Sequence, residues 1–229
     1  MKKYDIALFD LDGTLSESGE GILECVRMIF QEMERPMPDE EEIRRFIGPP
    51  MYESLKRVGF NHEDAQTGVE IYKRNFIKTG IYKNKVYEGI PQVLQQLKAA
   101  GVRLGVASTK YQKFTDRIIR MLELDDYFDV IGGSTSLTGE TDSGQVPRHN
   151  KIDVMHYVID SLTETGNERI VMIGDTRYDA DGAAKVGTDL IGCLFGYGTE
   201  QELREYYTIG TPLFAAEPQD ILPLILRNY

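Results

Sequence analysis

Short apolar runs that alternate with helical patterns constrain this chain more than any other feature of its sequence. The runs are rich in Ile and Val and apolar on both faces, as in strands of a sheet that is covered on both sides. Five such strands are expected, over residues 6–9, 102–107, 128–131, 170–173 and 190–195. Segments between them, such as 89–100, carry apolar residues at helical spacing. This alternation predicts an α/β fold with a doubly wound parallel sheet.

The interval between the first two predicted strands interrupts the alternation, because at about ninety residues it is far longer than one crossover needs. Apolar residues recur inside it at helical spacing. Four prolines divide this pattern into separate segments: Pro36, Pro38, Pro49 and Pro50. We therefore expect an α-helical subdomain over residues 17–82, inserted into a core domain formed by residues 1–16 and 83–229.

Composition limits the partners of this chain. Its 229 residues are 41% hydrophobic, which is enough to bury a core, and its net charge is −11. That charge argues against a nucleic-acid polymer or an anionic membrane as partner, since both require many Lys and Arg residues. Cys25 and Cys193 stand apart in apolar segments, which indicates buried thiols in a reducing compartment. No apolar run approaches the roughly 20 residues of a membrane span, so we expect a cytoplasmic protein. We also expect it to be a monomer or a weak dimer.

Candidate catalytic and ligand-binding residues follow the predicted strands at the carboxyl ends, where open α/β sheets bind ligands. They are Asp10 and Asp12, Ser108 and Thr109, Asp175 and Asp179, and Lys151 at the start of a helical pattern. Asp10 and Asp12 share one side of an extended segment, and Asp175 and Asp179 share one side of a first helical turn. Carboxylates gathered in this way repel one another unless a cation lies among them, and oxygen ligands of this kind favour Mg²⁺.

Each of these segments also has an ordinary structural explanation. The explanations are a turn at Asp12-Gly13, a helix cap at Ser108-Thr109, a strand-to-helix turn at Gly174-Asp175 and a surface position for Lys151. A calcium-binding loop that begins at Asp10 is excluded, because its twelfth position is Gly21 rather than Glu. The order of the set, with each member near a strand end, favours a functional site.

The ordered set resembles the haloacid dehalogenase superfamily of phosphotransferases over nearly the whole chain. "DLDGT" is similar to the nucleophile motif of that family, "VASTK" to its hydroxyl motif and "GDTRYDADGAAKVG" to its acidic motif. Lys151 matches the family's lysine, with Arg148 as the alternative because a long polar loop over 133–150 precedes the helical pattern. The resemblance implies a Rossmann-like core with a small helical cap. "FIGPPMYESL", "GIYKNKVYEGI" and "FGYGTEQEL" resemble the branch that contains 5'-nucleotidase-like and phosphoglycolate phosphatase-like members.

The resemblance also implies catalytic roles. Asp10 is expected to attack the substrate phosphorus and form an aspartyl-phosphate, and Asp12 to act as general acid and then as general base. Mg²⁺ is expected to be held by Asp10, the backbone carbonyl of Asp12, and Asp175, with Asp179 as a further ligand.

Other residues are expected to bind the substrate. The resemblance assigns phosphate binding to Gly13, Ser108 and the backbone N–H of Thr109, and charge compensation to Lys151. The cap is expected to contact the leaving group. Its candidate residues and two beside the acidic motif are equally compatible with a solvated surface: Arg44, Arg45, Tyr52, Arg177 and Tyr178.

The function expected on this basis is a Mg²⁺-dependent phosphomonoesterase that acts on a small-molecule phosphate ester, first of all a nucleoside 5'-monophosphate. The alternatives are a phosphoglycolate phosphatase and a β-phosphoglucomutase-like sugar-phosphate mutase. A phospho-receiver domain shares an acidic pocket and a lysine but has no helical insertion of this size. A catalytically retired scaffold would have lost one of Asp10, Asp12 or Asp175, and all three are present.

Overall fold

The computed structural model of this protein describes residues 2–135 and 147–226. The described strands are β1 (Ile6–Phe9), β2 (Ser16–Glu17), β3 (Lys85–Val86), β4 (Arg103–Tyr111), β5 (Val130–Ser134), β6 (Ile170–Gly174), β7 (Asp189–Cys193) and β8 (Leu213–Ala215). The described helices are α1 (Gly19–Glu32), α2 (Glu40–Arg44), α3 (Met51–Arg57), α4 (His62–Lys78), α5 (Ile90–Ala99), α6 (Gln112–Met121), α7 (Lys151–Leu162), α8 (Arg177–Val186), α9 (Glu200–Tyr206) and α10 (Ile221–Ile225).

Six strands form one parallel sheet in the order β5-β4-β1-β6-β7-β8. The alternate residues of β1 face opposite sides of the sheet. Ala7 and Phe9 pack into the hydrophobic cluster that contains the apolar residues of α5, α6 and α10, whereas Ile6 and Leu8 pack into the cluster that contains those of α7, α8 and α9. Helices therefore cover both faces, and the predicted doubly wound α/β fold is confirmed.

The strand boundaries differ from the predicted ones in an informative way. The second predicted strand, 102–107, continues as β4 to Tyr111, with a register irregularity between Ala107 and Tyr111. Ser108 and Thr109 therefore lie within the irregular end of a strand and not beyond it. The strand predicted at 128–131 is displaced to Val130–Ser134. The short edge strand β8 was not predicted.

Helices α1 to α4 occupy the part of the chain between β2 and β3, which pair with each other as a separate antiparallel ribbon. We call residues 19–83 the helical unit. Its interior combines aliphatic and aromatic side chains, and Phe30 makes edge-to-face contacts with Phe46 and Phe60. Because β2 leads into this unit and β3 leads out of it, the two chain crossings lie side by side.

Two further predictions concern single features of the chain. Cys25 and Cys193 are buried and form no disulfide with each other. The polar loop predicted over 133–150 lies largely outside the described residues, which resume at Pro147. Within 2–135 and 147–226, no helix combines the length and apolar character that crossing a membrane requires.

Candidate active site

The turn after β1 brings the first two candidate residues to the carboxyl edge of the sheet. Asp10 directly follows β1, and its backbone N–H donates to Ile173 O in β6 over 2.9 Å. Gly13 adopts a left-handed conformation (φ +85°), and its N–H donates to Ser16 O. Asp10 and Asp12 are both buried. The two carboxylates therefore lie at the carboxyl edge of the sheet and near its middle, because β1 has a strand on either side.

Lys151 binds two of the candidate carboxylates. It is the first residue of α7, whose N-cap is the side chain of Asn150. Its Nζ lies 2.7 Å from Asp10 Oδ1 and 2.7 Å from Asp179 Oδ1. Burial alone would lower the pKa of this lysine, but the two carboxylates outweigh burial and raise its pKa. The lysine is therefore charged at neutral pH.

Arg148, the alternative to Lys151, is engaged elsewhere. Its Nε donates to Gly133 O over 2.9 Å, its terminal nitrogen donates to Gln112 Oε1 over 3.0 Å, and the guanidinium stacks on the Tyr157 ring. These contacts fix the end of β5 against α6 and α7. Of the two cations, Lys151 is the one that the structure brings to Asp10.

Asp175 and Asp179 follow β6 and are held by different partners. Asp175 is fully buried and accepts hydrogen bonds from Thr14 Oγ1 (3.1 Å) and from the backbone N–H of Tyr197 (2.8 Å). Asp179 Oδ2 accepts from the N–H and the hydroxyl of Thr176, as part of a capping box at the start of α8. The capping box thus binds Asp179 Oδ2, and Asp179 Oδ1 is left to pair with Lys151.

Asp10, Asp175 and Asp179 form a buried carboxylate cluster in which one oxygen of each lies within 4.8 Å of the others. Burial raises the pKa of Asp10 to about 7, with Lys151 opposing the shift and Asp179 adding to it. Burial, followed by the charges of Asp179 and Asp10, raises the pKa of Asp175 well above its usual value. Oxygen ligands at this spacing and burial fit a hard divalent cation. The three carboxylates are the candidate Mg²⁺ ligands.

The charge of the site also fits a divalent cation. Asp12 joins the three clustered carboxylates at the same edge, and its Oδ2 lies 2.9 Å from Lys110 Nζ. Four carboxylates against Lys110 and Lys151 leave two negative charges when all groups are ionised. Mg²⁺ would neutralise this excess. The carboxylate of Asp12 is directed to Lys110, and the predicted contribution of its backbone carbonyl to the metal stays a prediction.

Lys110 is a site residue to which sequence reasoning gave no role. It belongs to "VASTK", two residues after Ser108 on the extended β4 chain. Its Nζ contacts Asp12 and lies 4.8 Å from the centre of the Phe76 ring in α4. Asp12 Oδ1 is buried and has no hydrogen-bond partner among the described residues. One oxygen of Asp12 is therefore available for proton transfer, while the other is bound.

Residues of the hydroxyl motif lie where the core meets the helical unit. Ser108 is buried, and its Oγ accepts from the Lys110 N–H. Thr109 Oγ1 donates to Gly48 O in the helical unit over 2.8 Å. Beside them lies a cavity of about 50 Å³. Its lining from the core includes Asp12, Thr109 and Lys110, and its lining from the helical unit is mostly apolar: Ile22, Phe46, Gly48, Pro49, Pro50, Met51 and Tyr72.

Most of the predicted specificity residues make surface contacts. Arg45 pairs with Glu41 and Glu42. Tyr52 is hydrogen-bonded to His62. Arg177 stacks on Tyr178 and lies 3.7 Å from Glu202, whereas Arg44 is exposed beside a wider groove between the helical unit and the core. The alternative interpretation as a solvated surface fits these contacts and the exposure of Arg44, and the groove is lined by Arg45, Arg177 and Tyr178 as well as by Arg44.

Comparison with known proteins agrees with this arrangement. The family description "Haloacid dehalogenase-like hydrolase" matches residues 7–193. The tyrosine-protein kinase PtkA of Mycobacterium tuberculosis is 35% identical over 193 residues, which are 84% of this chain but 63% of PtkA, so the chain spans less than two thirds of that relative. A 5'-nucleotidase of Pseudomonas aeruginosa is 35% identical over 205 residues, 89% of each chain. The crystal structure of a predicted phosphatase from Clostridium acetobutylicum superposes with a TM-score of 0.83 at 34% identity and covers 95% of this chain and 96% of that one.

Proposed function

The chain belongs to the haloacid dehalogenase-like hydrolase family, and from this premise we propose that it is a Mg²⁺-dependent phosphomonoesterase acting on a nucleoside 5'-monophosphate. The observation that carries the proposal is the contact of Lys151 Nζ with both Asp10 and Asp179 inside a cluster of three buried carboxylates. Such a cluster suits an anionic phosphate only if further positive charge is present. The resemblance of the chain to a 5'-nucleotidase supports the substrate class.

In the first half-reaction, an oxygen of Asp10 attacks the substrate phosphorus, and the bond from phosphorus to the leaving oxygen breaks. For this step Asp12 has to enter the cycle protonated at Oδ1, the oxygen that lacks a partner among the described residues, and it donates that proton to the leaving oxygen. In the second half-reaction, Asp12 takes a proton from water, the water oxygen attacks phosphorus, and the bond to Asp10 breaks. Phosphate is released and Asp10 is regenerated.

The remaining residues bind charge and fix geometry. Lys151 offsets the charge of Asp10 and of the incoming phosphate, while Ser108 and the Thr109 N–H bind phosphate oxygens. Asp10, Asp175 and Asp179 would hold Mg²⁺, which supplies electrostatic stabilisation of the transferring phosphoryl group. The apolar lining contributed by the helical unit supports a leaving group with an aromatic ring that can pack against it, such as the base of a nucleoside, over a short hydrophilic one such as glycolate.

Phosphate release tests the proposal most directly. Release is measured with and without Mg²⁺ from nucleoside 5'-monophosphates, phosphoglycolate, sugar phosphates and ATP. Asp10→Asn should lower the rate by at least about 10³-fold and abolish trapping of acid-stable phosphoenzyme. Asp5→Asn is the matched control, because Asp5 directly precedes the first residue of β1, at the end away from Asp10, and pairs with Arg169.

The panel also separates the alternatives. Phosphate release that is selective for phosphoglycolate would indicate that phosphoglycolate, and not a nucleotide, is the substrate. Isomerisation of a sugar phosphate without net release would indicate a mutase, and transfer from ATP to a hydroxyl acceptor would indicate a kinase. Full activity in Asp10→Asn on every ester would contradict the proposed nucleophile.

A further inference from the structure

Tyr197 connects the carboxylate cluster to the helical unit through both ends of the residue. Its backbone N–H donates to Asp175 Oδ2 over 2.8 Å. Its hydroxyl accepts from the backbone N–H groups of Ser18 (2.9 Å) and Gly19 (2.7 Å), which begin α1. One residue of the core thus contacts a candidate metal ligand and the first turn of the helical unit.

The hydroxyl of Tyr197 accepts two hydrogen bonds at the start of a helix whose N-cap side chain makes none. Ser18 is the N-cap residue of α1, yet its own side chain makes no capping bond and its Oγ is buried without a partner among the described residues. The first N–H groups of a helix need an acceptor. In this protein the acceptor comes from a loop about 180 residues further along the chain.

The segment that carries Tyr197 packs closely against Asp175. A Cβ atom at Gly198 would lie 1.9 Å from the backbone oxygen of Asp175, so only glycine permits this approach. The Tyr197 ring fills the space between the turn after β1 and α1, where a Cβ on Gly13 would lie 2.7 Å from the ring and one on Gly19 would lie 3.0 Å from the hydroxyl. The Tyr197 residue is therefore in close contact with both the first turn of α1 and the backbone next to Asp175.

We infer that Tyr197 is a positioning residue that couples Mg²⁺ binding at Asp175 to the position of α1 in the helical unit, an inference that rests on the proposed function. With the hydroxyl bound to α1, the Tyr197 N–H is held where it orients Asp175 for the metal. Without those bonds, only part of the population presents Asp175 correctly, and the apparent affinity for Mg²⁺ falls by that fraction. Coupling of this kind is reciprocal, so Mg²⁺ also stabilises the start of α1.

The test is titration calorimetry of Mg²⁺ in the absence of substrate. Tyr197→Phe removes the hydroxyl but keeps the ring and the backbone N–H, and it should weaken Mg²⁺ binding by about fivefold or more. Tyr207→Phe is the matched control, because the Tyr207 hydroxyl also makes a buried hydrogen bond, to Thr188 O at 3.0 Å, but lies away from the cluster. This control should keep the wild-type Kd for Mg²⁺.

Hydrogen exchange in the wild-type protein gives a second measurement that needs no variant. Mg²⁺ should slow exchange of the Ser18 and Gly19 amides, and exchange at these amides that is unaffected by Mg²⁺ would overturn the inference. If Mg²⁺ binds wild type and Tyr197→Phe with the same Kd, the inference fails while the proposed function stands. If wild type binds no Mg²⁺, the proposed function fails and the inference with it.

Discussion

Lys151 is the residue on which the electrostatics of the cluster depend. It donates to Asp10 and to Ala107 O and pairs with Asp179, all at 2.7 Å, with little access to water. Removing one partner of a buried ion pair leaves the other charge uncompensated, which costs more than the pair itself contributes. The same reasoning does not apply to ion pairs at the surface.

Replacement of Lys151 by Met should therefore reduce both stability and activity. We expect Lys151→Met to lower the free energy of unfolding by about 3–5 kcal/mol at neutral pH and phosphate release by at least about 10²-fold. Urea unfolding and the release assay measure the two effects. Lys185→Met, which removes the exposed pair with Asp181 on α8, should cost at most about 1 kcal/mol. Equal losses in the two variants would argue against a special role for Lys151.

The raised pKa of Asp10 makes stabilisation by Mg²⁺ depend on pH. Its pKa is about 7 in the folded protein and near 4 in an unfolded chain, so between these values the folded state retains a proton that the unfolded state loses. Stability without metal should then fall as pH rises from about 4 to 7. Mg²⁺ binds the ionised carboxylates, so the increase in Tm that it produces should be larger at pH 8 than at pH 5.

Thermal unfolding across this pH range, with and without Mg²⁺, measures the effect. Asp175→Asn serves as comparison, because it removes one carboxylate of the cluster and should reduce the Mg²⁺-induced increase in Tm at every pH. A Tm increase that does not change between pH 5 and 8 in the wild-type protein would contradict the prediction.

At the scale of secondary-structure elements, the turn between β1 and β2 has to pass close to Asp175. A Cβ at Gly13 would lie 2.1 Å from Asp175 Oδ2, in addition to the strain of a positive φ. Gly101 also has a positive φ (+75°), but a Cβ there would meet nothing within 4 Å. Alanine substitutions at the two glycines therefore separate the free-energy cost of the backbone conformation from that of crowding.

Gly13→Ala should destabilise the protein more than Gly101→Ala. The backbone strain common to both costs about 1–2 kcal/mol, and crowding at Gly13 should add about 1–3 kcal/mol. Denaturant unfolding measures the difference, and Mg²⁺ titration should show weaker binding in Gly13→Ala alone. Identical free energies of unfolding would mean that Asp175 moves aside without cost.

The elements that the sequence predicted are those with a strong local signal. Short strands that are apolar throughout and lie next to acidic turns, such as β1 with Asp10 and β6 with Asp175, could be placed because burial on both faces makes their composition distinctive. The edge strand β8 has only three residues, and its pairing depends on tertiary packing, which no local pattern records. The contact of Lys110 with Asp12 was not predicted, because it depends on the irregular end of β4.

The contacts of Tyr197 are of the same kind. The sequence places Tyr197 only within "FGYGTEQEL", a segment that suggests no role for this residue. Its bonds reach Asp175 and the start of α1, which are distant in sequence, and no spacing rule along one element could have identified them. The candidate carboxylates could be predicted because they follow strands, whereas the residues that orient them depend on the packing of loops.

At the scale of the whole molecule, the helical unit closes the site. The cavity between Asp12 and the helical unit measures about 50 Å³, whereas pockets for small molecules usually measure about 300 Å³ or more. For the proposed nucleotide to bind beside Asp12, we therefore expect the helical unit to move away from the core. The bond from Thr109 Oγ1 to Gly48 O is one of the contacts that such a movement would break.

Removal of that bond should favour the open arrangement. Thr109→Val keeps the shape and the backbone N–H but loses the hydroxyl, which should weaken closure by about 1 kcal/mol, or roughly fivefold in the closed-to-open ratio. Faster hydrogen exchange over residues 46–51 would show the shift. Thr109→Ser retains the hydroxyl and should exchange like the wild type. Similar exchange in the Val variant would mean that other contacts keep the unit closed.

The antiparallel ribbon of β2 and β3 has a consequence for how the chain is assembled. Because Ser16 pairs with Val86 and Glu17 with Lys85, the long excursion between them begins and ends at neighbouring points. The entropic cost of bringing the ends of a loop together rises only slowly with loop length. A longer or shorter excursion should therefore change little the free energy of adding β1 to the sheet. We therefore expect the excursion to tolerate changes in length and composition while the strand order and the carboxylates beneath it stay the same.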